Sequence, residues 1–528
     1  MLKRYDPSLS QTRWDAVIIG TGIGSLTTAA VLAREGWKVL VLEKHYEPGG
    51  FCHTFKRKGF EWDVGVHYVG GVENARQLER QAFDYISGRR LDWAPMGSPY
   101  DRAIIDGATY DFVPGSTEQL ERWIGYFPQE EAAIREYWRL VRECANASRL
   151  FFADRAVPPV VSGVAGGLMR RPFLKHADRT VYEVLRGLTN NEALITMLCT
   201  QCGDYGLPPN RASFAIHAMV VSHYRGGGFY PVGGASQIPR TVIDTIEDHS
   251  GCVAVRCGVE ALLFERGRAA GVRLDGGQEI RARHVVSGMG VRNTLTRLLP
   301  DDLRRKFGAD AALANVKPSM AHLCLYVGVD ASDEELGFPR FNYWCYDPYT
   351  GDGEPGGRLP SAYISFPSAK DPAWTEAHPG KATVQMIGLG RMEDFAAFED
   401  TRWKKRGPKY EAMKARFQAE MLERLYTMYP RTRNRIGWAE VSTPLSTAHF
   451  SHYPSGEIYG LEHTPERFRQ RWLRPRTPVK GLYLTGQDIC TAGVAGAMFS
   501  GLLTSSAMLG KNMISAIRQR EGAQAAVG

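Results

Sequence analysis

Trp14-Asp-Ala-Val-Ile-Ile-Gly20-Thr-Gly22-Ile-Gly24-Ser25 opens on apolar residues in nearly unbroken order and ends in a cluster of glycines. Continuous rather than alternating hydrophobicity marks a strand covered on both faces, as inside a parallel sheet. Leu26 to Arg34 follows in alanine-rich, helical style, closed by Gly36, and Lys38-Val-Leu-Val-Leu-Glu43 is a second buried strand. Strand, glycine turn, helix and strand in about 30 residues make a βαβ unit. Gly20 permits the tight bend, and Gly22 lets the backbone approach a pyrophosphate. Gly24 belongs to the same turn, and Ser25 holds the third glycine position with a residue small enough for helix to pack on sheet. Free N–H groups and the helix dipole then favour the anion. Glu43 ends the second strand 23 residues after Gly20, placed to accept both hydroxyls of an unphosphorylated ribose, with Lys44 beside it in the same site. A βαβ unit that binds nothing is the plain alternative.

Two further stretches separate FAD from NAD. Pro48-Gly49-Gly50 follows Glu43 closely, where a second backbone approach serves an extended flavin dinucleotide. Near the other end, Gly481-Leu-Tyr-Leu-Thr-Gly486 is a buried strand leading to Gln487-Asp488 and then Gly493-Val-Ala-Gly496-Ala-Met. Gly486, an acidic residue and a glycine-opened helix suit ribityl binding by Asp488. The amides of Val494 and Ala495 then face the flavin N1/O2 edge, where negative charge gathers on reduction. The alternative makes Asp488 an ordinary helix cap.

A chain of 528 residues has room for more than one domain. Hydrophobic residues at 44% and charged residues at 23% are those of a globular protein. A net charge of +8 with no long basic run is not a nucleic-acid footprint. The nine cysteines are scattered and odd in number, which argues for a reducing compartment rather than a disulfide scaffold. Cys199 and Cys202 have redox or zinc spacing, but no second pair completes four ligands, so packing is the reading and no metal is expected. Met1 to Arg13 is polar, and no apolar run approaches the ~20 residues of a spanning helix. The expectation is a cytoplasmic, peripherally membrane-associated protein.

From Gly71 to Arg225 the chain is aromatic and helical, with a helix start at Phe127-Pro-Gln-Glu-Glu-Ala-Ala-Ile134. Gly226 to Gly234 breaks that region. Hairpin strands follow at Cys252 to Cys257, Val259 to Glu265, Ala269 to Leu274 and Glu279 to Ser287, with Asp275-Gly-Gly277 as a turn. A Gly-rich loop around Thr350 to Arg358 and a helix near Lys409 to Tyr429 lie in the mixed remainder. The expected fold is α/β. A Rossmann-type nucleotide domain is assembled from residues 1–75, 226–295 and 471–528, with a mixed α+β substrate domain, residues 76–225 and 296–470, inserted. Val157 to Met169, then Arg170-Arg171 and Lys175, is apolar and then basic. It either dips into a membrane interface while its cations meet lipid phosphates, or is an internal loop packed on the core.

With Gly20-Thr-Gly-Ile-Gly24 go Pro48-Gly-Gly-Phe-Cys-His-Thr-Phe55, Asp63-Val-Gly-Val-His-Tyr-Val-Gly70, Leu91-Asp-Trp-Ala-Pro95 and Ser98-Pro-Tyr-Asp101. Further on come Phe127-Pro-Gln-Glu-Glu131, Gly203-Asp-Tyr-Gly-Leu-Pro-Pro209, Tyr230-Pro-Val-Gly-Gly234 and Leu484-Thr-Gly-Gln-Asp488. On these motifs the chain resembles the phytoene desaturase and carotenoid isomerase superfamily of FAD oxidoreductases, and within it the retinol saturases. The resemblance covers nearly the whole chain, most specifically residues 15–235 and 480–510, and least Asp310 to Gln470. Ser25 stands where that family usually has glycine, which bears on helix–strand spacing. The resemblance implies a glutathione-reductase-like flavoprotein acting on CH–CH groups, whose relatives desaturate, isomerise or saturate conjugated lipids. It also implies that Gly288 passes near the pyrophosphate and that Val259 lies near the adenine, against the alternative of a core valine.

Saturating a C=C bond needs a hydride from flavin N5 on one carbon, a proton on the other, and an apolar tunnel that positions the polyene. Candidate proton donors are His67, Tyr68 and Tyr459, with His53 behind them, each alternatively a pocket-lining residue. No second glycine turn with its own ribose selector is visible, so the flavin is reduced by a partner protein or by transiently bound NAD(P)H. Saturation of a retinoid- or carotenoid-like polyene is the first reading, and desaturation or cis–trans isomerisation its same-class rival. A non-catalytic prenyl-lipid binding protein of the GDP-dissociation-inhibitor type and an amine oxidase are the others.

Overall fold

The computed structural model describes residues 3–347 and 354–525, with side chains to 522. Residues 350–353 of the expected Gly-rich loop lie outside it. Five parallel strands form the first sheet in the order Leu482–Leu484, Glu279–Ser287, Trp14–Ile19, Val39–Leu42 and Cys252–Ala254. Trp14–Ile19 lies at its centre, with Ile19 level with Leu42 on one side and Ser287 on the other. Glu279–Ser287 changes partner along its length. Its start pairs antiparallel with Arg268–Leu274, which hairpins to Val259–Glu265, and its end pairs with Leu482–Leu484. Strands of one sheet thus come from three distant stretches of chain. Helix Ile23–Arg34 is buried almost throughout, because helix Gly493–Leu509 covers the face turned away from the sheet.

The second sheet has the order Ile436–Ser442, Ala321–Val329, Ala382–Gly390, Ala362–Ser365, Asn342–Tyr346, Asp101–Ile105 and Ala108–Phe112. It is antiparallel except where Asp101–Ile105 runs parallel to Asn342–Tyr346. Helices Glu131–Ala156, Pro159–Ala177 and Phe214–His223 build an aromatic core beside it. The architecture is the expected α/β fold with an inserted mixed domain, but two borders differ from the sequence reading. Helix Leu78–Ser87 buries Phe83, Tyr85 and Ile86 in the nucleotide-domain core rather than in the inserted domain. The hairpin Thr54–Arg57/Phe60–Asp63 leans the other way, with Trp62 Nε1 donating to the Val327 carbonyl (3.0 Å). Both follow from where apolar faces find cover, which chain order does not reveal. The stretch after Val157, read as either an interface-dipping segment or an internal loop, is helix Pro159–Ala177. Cys199 and Cys202 are buried free thiols at the end of helix Glu192–Leu198 and in the tight turn after it.

Candidate active site

Four loops meet at the carboxyl ends of the parallel strands. In the first, Gly20 takes φ +86° and its N–H donates to the Leu42 carbonyl (2.8 Å). Gly22 precedes helix Ile23–Arg34 with no side chain capping the first-turn amides, and nothing lies within 4 Å of where a Gly22 Cβ would stand. Uncapped amides at the positive end of a helix, beside open space, form an anion cradle.

The second loop, Pro48 to Gly50, folds down onto the first. A Cβ on Gly50 would stand 3.0 Å from Gly22 Cα. Thr21 fastens the two loops: its hydroxyl accepts from the Gly49 N–H (2.9 Å) and donates to Glu43 Oε2 (2.5 Å). Glu43 Oε2 also accepts from the Thr21 N–H (2.8 Å), and Oε1 from the His45 N–H (2.7 Å). The carboxylate is thereby fixed at the mouth of the turn with one free lone pair, on Oε1. In this arrangement one acceptor position is open to a ribose hydroxyl, where the sequence suggested two.

The third and fourth loops, at Gly288 and Gly486, leave neighbouring strands. The Gly288 N–H donates to the Ile19 carbonyl (3.0 Å), which sets it beside Gly20, and the Ser25 hydroxyl fills the space of a Gly288 Cβ, 1.9 Å away. The serine is thus accommodated by a glycine opposite. A Cβ on Gly24 would fall 2.8 Å from the Ala497 carbonyl and 2.9 Å from Gly486 N. Its absence lets helix Gly493–Leu509 close onto the first helix. That helix also starts without a side-chain cap, leaving the Val494 and Ala495 amides at its open end, while His463 Nε2 accepts from the Ala492 N–H (2.9 Å).

Two expected cofactor ligands are placed otherwise. Asp488 is buried, with Oδ2 accepting from the Val291 N–H (2.8 Å) and Oδ1 from the Leu461 N–H (2.9 Å). It staples two loops beneath the Gly486 turn, and each of its oxygens keeps a lone pair. Buried Arg467 braces the same turn through the Gln487 (2.8 Å), Asp488 (3.2 Å) and Cys490 (3.2 Å) carbonyls. Lys44 is exposed and pairs with Asp275 (3.2 Å). Val259 packs part-buried on the sheet core, two residues after Cys257, whose N–H bonds the Glu43 carbonyl.

Beside the cradle stands a wall of polar side chains. Gln487 Nε2 donates to the Ile458 carbonyl (3.3 Å) and the Tyr459 N–H to Ser319 Oγ (2.9 Å), which sets Tyr459 next to the Gly486 turn. The Tyr459 ring abuts Gly206, two residues after Asp204. The Tyr68 hydroxyl lies 2.9 Å from both Asp204 Oδ2 and Asp101 Oδ2. Asp101 further accepts from Asn342 Nδ2 (2.8 Å) and Gln201 Nε2 (3.1 Å). Lys370 Nζ donates to Asn342 Oδ1, to Ser365 Oγ (2.7 Å) and to the His67 carbonyl (3.0 Å). Burial raises Asp101 to about 6 and lowers Lys370 to about 7. Burial, then the Asp101 charge, pushes Asp204 well above the usual carboxylate range.

His67, Tyr68 and Tyr459 therefore share one wall, but not as the sequence cast them. The His67 ring stands 5.3 Å from Tyr363, with its Nδ1 and the Tyr363 hydroxyl both unpartnered. Burial drops His67 to about 3, so near neutral pH it holds no imidazolium proton to give. Tyr68 is buried, stacked on Tyr224 at 4.2 Å and committed to two carboxyl groups. His53 stands apart beside Gly50, lowered by burial to about 4. Sequence reasoning missed Thr21, Asp101, Asp204 and Lys370. Asp101 and Asp204 sit in motifs already singled out, where an acidic residue next to tyrosine in an apolar stretch was the available signal.

The cradle fits FAD: open space at Gly22, two uncapped helix starts and a fixed carboxylate match a diphosphate, a flavin edge and a ribose. A family model of the NAD(P)-binding Rossmann-like domain matches residues 18–85, and one of the flavin containing amine oxidoreductases matches residues 203–509. All-trans-retinol 13,14-reductase of Danio rerio is 36% identical, over 94% of this chain and 86% of that protein. A Danio rerio protein named inactive all-trans-retinol 13,14-reductase is 32% identical, over 96% and 87%. Chloroplastic prolycopene isomerase of Arabidopsis thaliana is 25% identical, over 93% and 82%. An oxidoreductase structure from Methanosarcina mazei shares the fold, with a TM-score of 0.60 at 17% identity over 94% of this chain and 100% of that one. With FAD as its cofactor, the chain belongs to the flavin-containing amine oxidoreductase family and, within it, to the group that includes the all-trans-retinol 13,14-reductases.

Proposed function

We propose that this protein is an FAD-dependent oxidoreductase that saturates one C=C bond of a retinoid- or carotenoid-like polyene lipid. The observation that carries this is the polar wall adjoining the dinucleotide cradle, where a half-buried carboxyl group, an imidazole with an unpartnered Nδ1 and an unpartnered phenol stand among aromatic rings. When bound, FAD supplies hydride chemistry at its N5. The chain's own residues do the rest. The Gly22 turn holds the diphosphate and Glu43 holds the ribose. The Gly486 turn, stapled by Asp488 and braced by Arg467, presents the Val494 and Ala495 amides to the ring edge. Tyr224, Tyr363 and Tyr459 offer flat apolar surface to a polyene, and the wall supplies a proton. Reducing equivalents come from NAD(P)H bound transiently or from an electron-transfer protein.

The polyene enters from a membrane surface, with the protein cytoplasmic and peripheral. Helix Pro159–Ala177 supports this: Val160, Val164 and Leu168 are 80, 86 and 79% exposed, and Arg171 and Lys175 follow them. No single helix among the described residues is long and apolar enough to cross a membrane. Co-flotation with anionic vesicles should weaken in V164D/L168D, and equal flotation of both proteins rejects this surface.

The likeness to an isomerase keeps isomerisation as the second reading, and a relative named inactive makes the assay decisive. The holoenzyme, reduced anaerobically and mixed with all-trans-retinol, should reoxidise its flavin and yield a product heavier by two hydrogens. Unchanged mass with the flavin still reduced means isomerisation. A colourless protein that takes up no FAD returns the lipid-binding reading.

A further inference from the structure

Between Asp101 and Asp204 the hydrogen-bond geometry leaves one proton to be assigned. The Tyr68 phenol has a single hydrogen, yet its oxygen lies 2.9 Å from a carboxyl oxygen on each side. It donates to one, and the other carboxyl group must bring its own proton to bond the phenol oxygen. The surroundings decide which. Asp101 is fully buried and receives two more donors, Asn342 Nδ2 (2.8 Å) and Gln201 Nε2 (3.1 Å), with the Lys370 amine behind Asn342. That is an anion's environment. Asp204 is half-buried, and Tyr68 is its one hydrogen-bond partner among the described residues. Its other oxygen takes no hydrogen bond among the described residues, and Tyr363 and Tyr459 are among the groups close enough to feel its charge.

We propose that Asp204 carries this proton at neutral pH and delivers it to the polyene, with Tyr68 and Asp101 as the positioning residues that keep it protonated. This deepens the saturation reading and rests on it. FAD, when bound and reduced, would supply the electron pair as hydride to one carbon of the C=C bond. The π pair left on the neighbouring carbon takes the Asp204 proton: a C–H bond forms, the carboxyl O–H bond breaks, and water returns a proton to the carboxylate. Two carboxyl groups bonded to one phenol divide the work of acid and anion, a recurrent way to keep an acid ready near pH 7. The other titratable groups facing Asp204 are the phenols of Tyr68, Tyr100, Tyr224, Tyr363 and Tyr459 and the Cys202 thiol, all raised by burial and so neutral in this range. Asp101 is therefore the one facing charge that sets the pH at which Asp204 lets go.

The test joins infrared spectroscopy to single turnover of the reduced holoenzyme with all-trans-retinol. At pH 7 the spectrum of wild type minus D204N should show a protonated-carboxyl C=O band that shifts in heavy water. D204N should keep wild-type FAD and retinol affinities but reoxidise its flavin about 100-fold more slowly or worse. In D101N the band should titrate away at lower pH, a change that a packing role would not produce. Y68F, which keeps the ring and removes the shared hydroxyl, should move it in the same direction if D101N does not fold. Absence of the band in wild type overturns the proposal. So does a D204N enzyme that saturates retinol at the wild-type rate, and in that case saturation itself stands. A band in an enzyme that leaves retinol unchanged in mass instead sinks the saturation reading, and proton delivery by Asp204 with it.

Discussion

Around Gly22 the protein makes room by leaving side chains out. Around Tyr68 it fills the interior with side chains that must share protons. The cradle is assembled from glycines at strand ends, and its work is done by backbone amides whose positions the sheet dictates. The wall draws Tyr68, Asp101, Asp204, Asn342 and Lys370 from five separate segments, and its work depends on which of them is charged. The cradle is thus vulnerable to added volume, whereas the wall is vulnerable to changes of charge.

The comparison breaks most readily at its junction, Asp488. In D488A the Val291 and Leu461 amides lose a buried partner, and stability should fall by about 2–6 kcal/mol, at 1–3 for each unpaired group. An unchanged denaturation midpoint would show that the Gly486 turn holds its shape without the staple. Next comes volume in the cradle. A Cβ in G24A meets the Ala497 carbonyl and Gly486 N at under 3 Å, so chemical denaturation should register a loss of about 1–3 kcal/mol. Stability equal to wild type would mean that the two helices part freely.

The effect at the wall is gradual, because it depends on pH. Folded Lys370 releases its proton near 7, whereas an unfolded lysine keeps it to 10.5. The unfolded state then binds more protons, and stability rises with pH across that window by up to about 1 kcal/mol per pH unit. Asp101 and Asp63 act with the opposite sign: folded, they hold protons to about 6 against 3.8 unfolded, so stability falls as pH rises between those values. Denaturation of K370M across pH 7 to 10 should lack the alkaline rise. A rise identical to wild type would assign it to other groups.

The sequence-level reading succeeded where the signal is local. Unbroken apolar runs ending in glycine marked the parallel strands and the cradle, because covered strands and tight turns constrain neighbouring residues. It fell short where a partner comes from far along the chain. Thr21 was not foreseen as a partner of Glu43, nor the Leu461 and Val291 amides, 27 and 197 residues away, as partners of Asp488. Lys370 carried no local mark at all, and Asp204 only its place beside a tyrosine in an apolar stretch. Their chemistry arises only when five segments meet.

The most direct test of the cradle is a titration of cofactor-free protein with FAD, wild type against G22V. Gly22 has φ −57° and open space around its Cβ position, so the cofactor-free variant should unfold within about 1 kcal/mol of wild type. The new side chain stands where the diphosphate must lie, and FAD should bind about tenfold to 100-fold more weakly. Wild-type affinity in G22V would contradict the account, because the cofactor would then rest somewhere other than on the amides of the first helix.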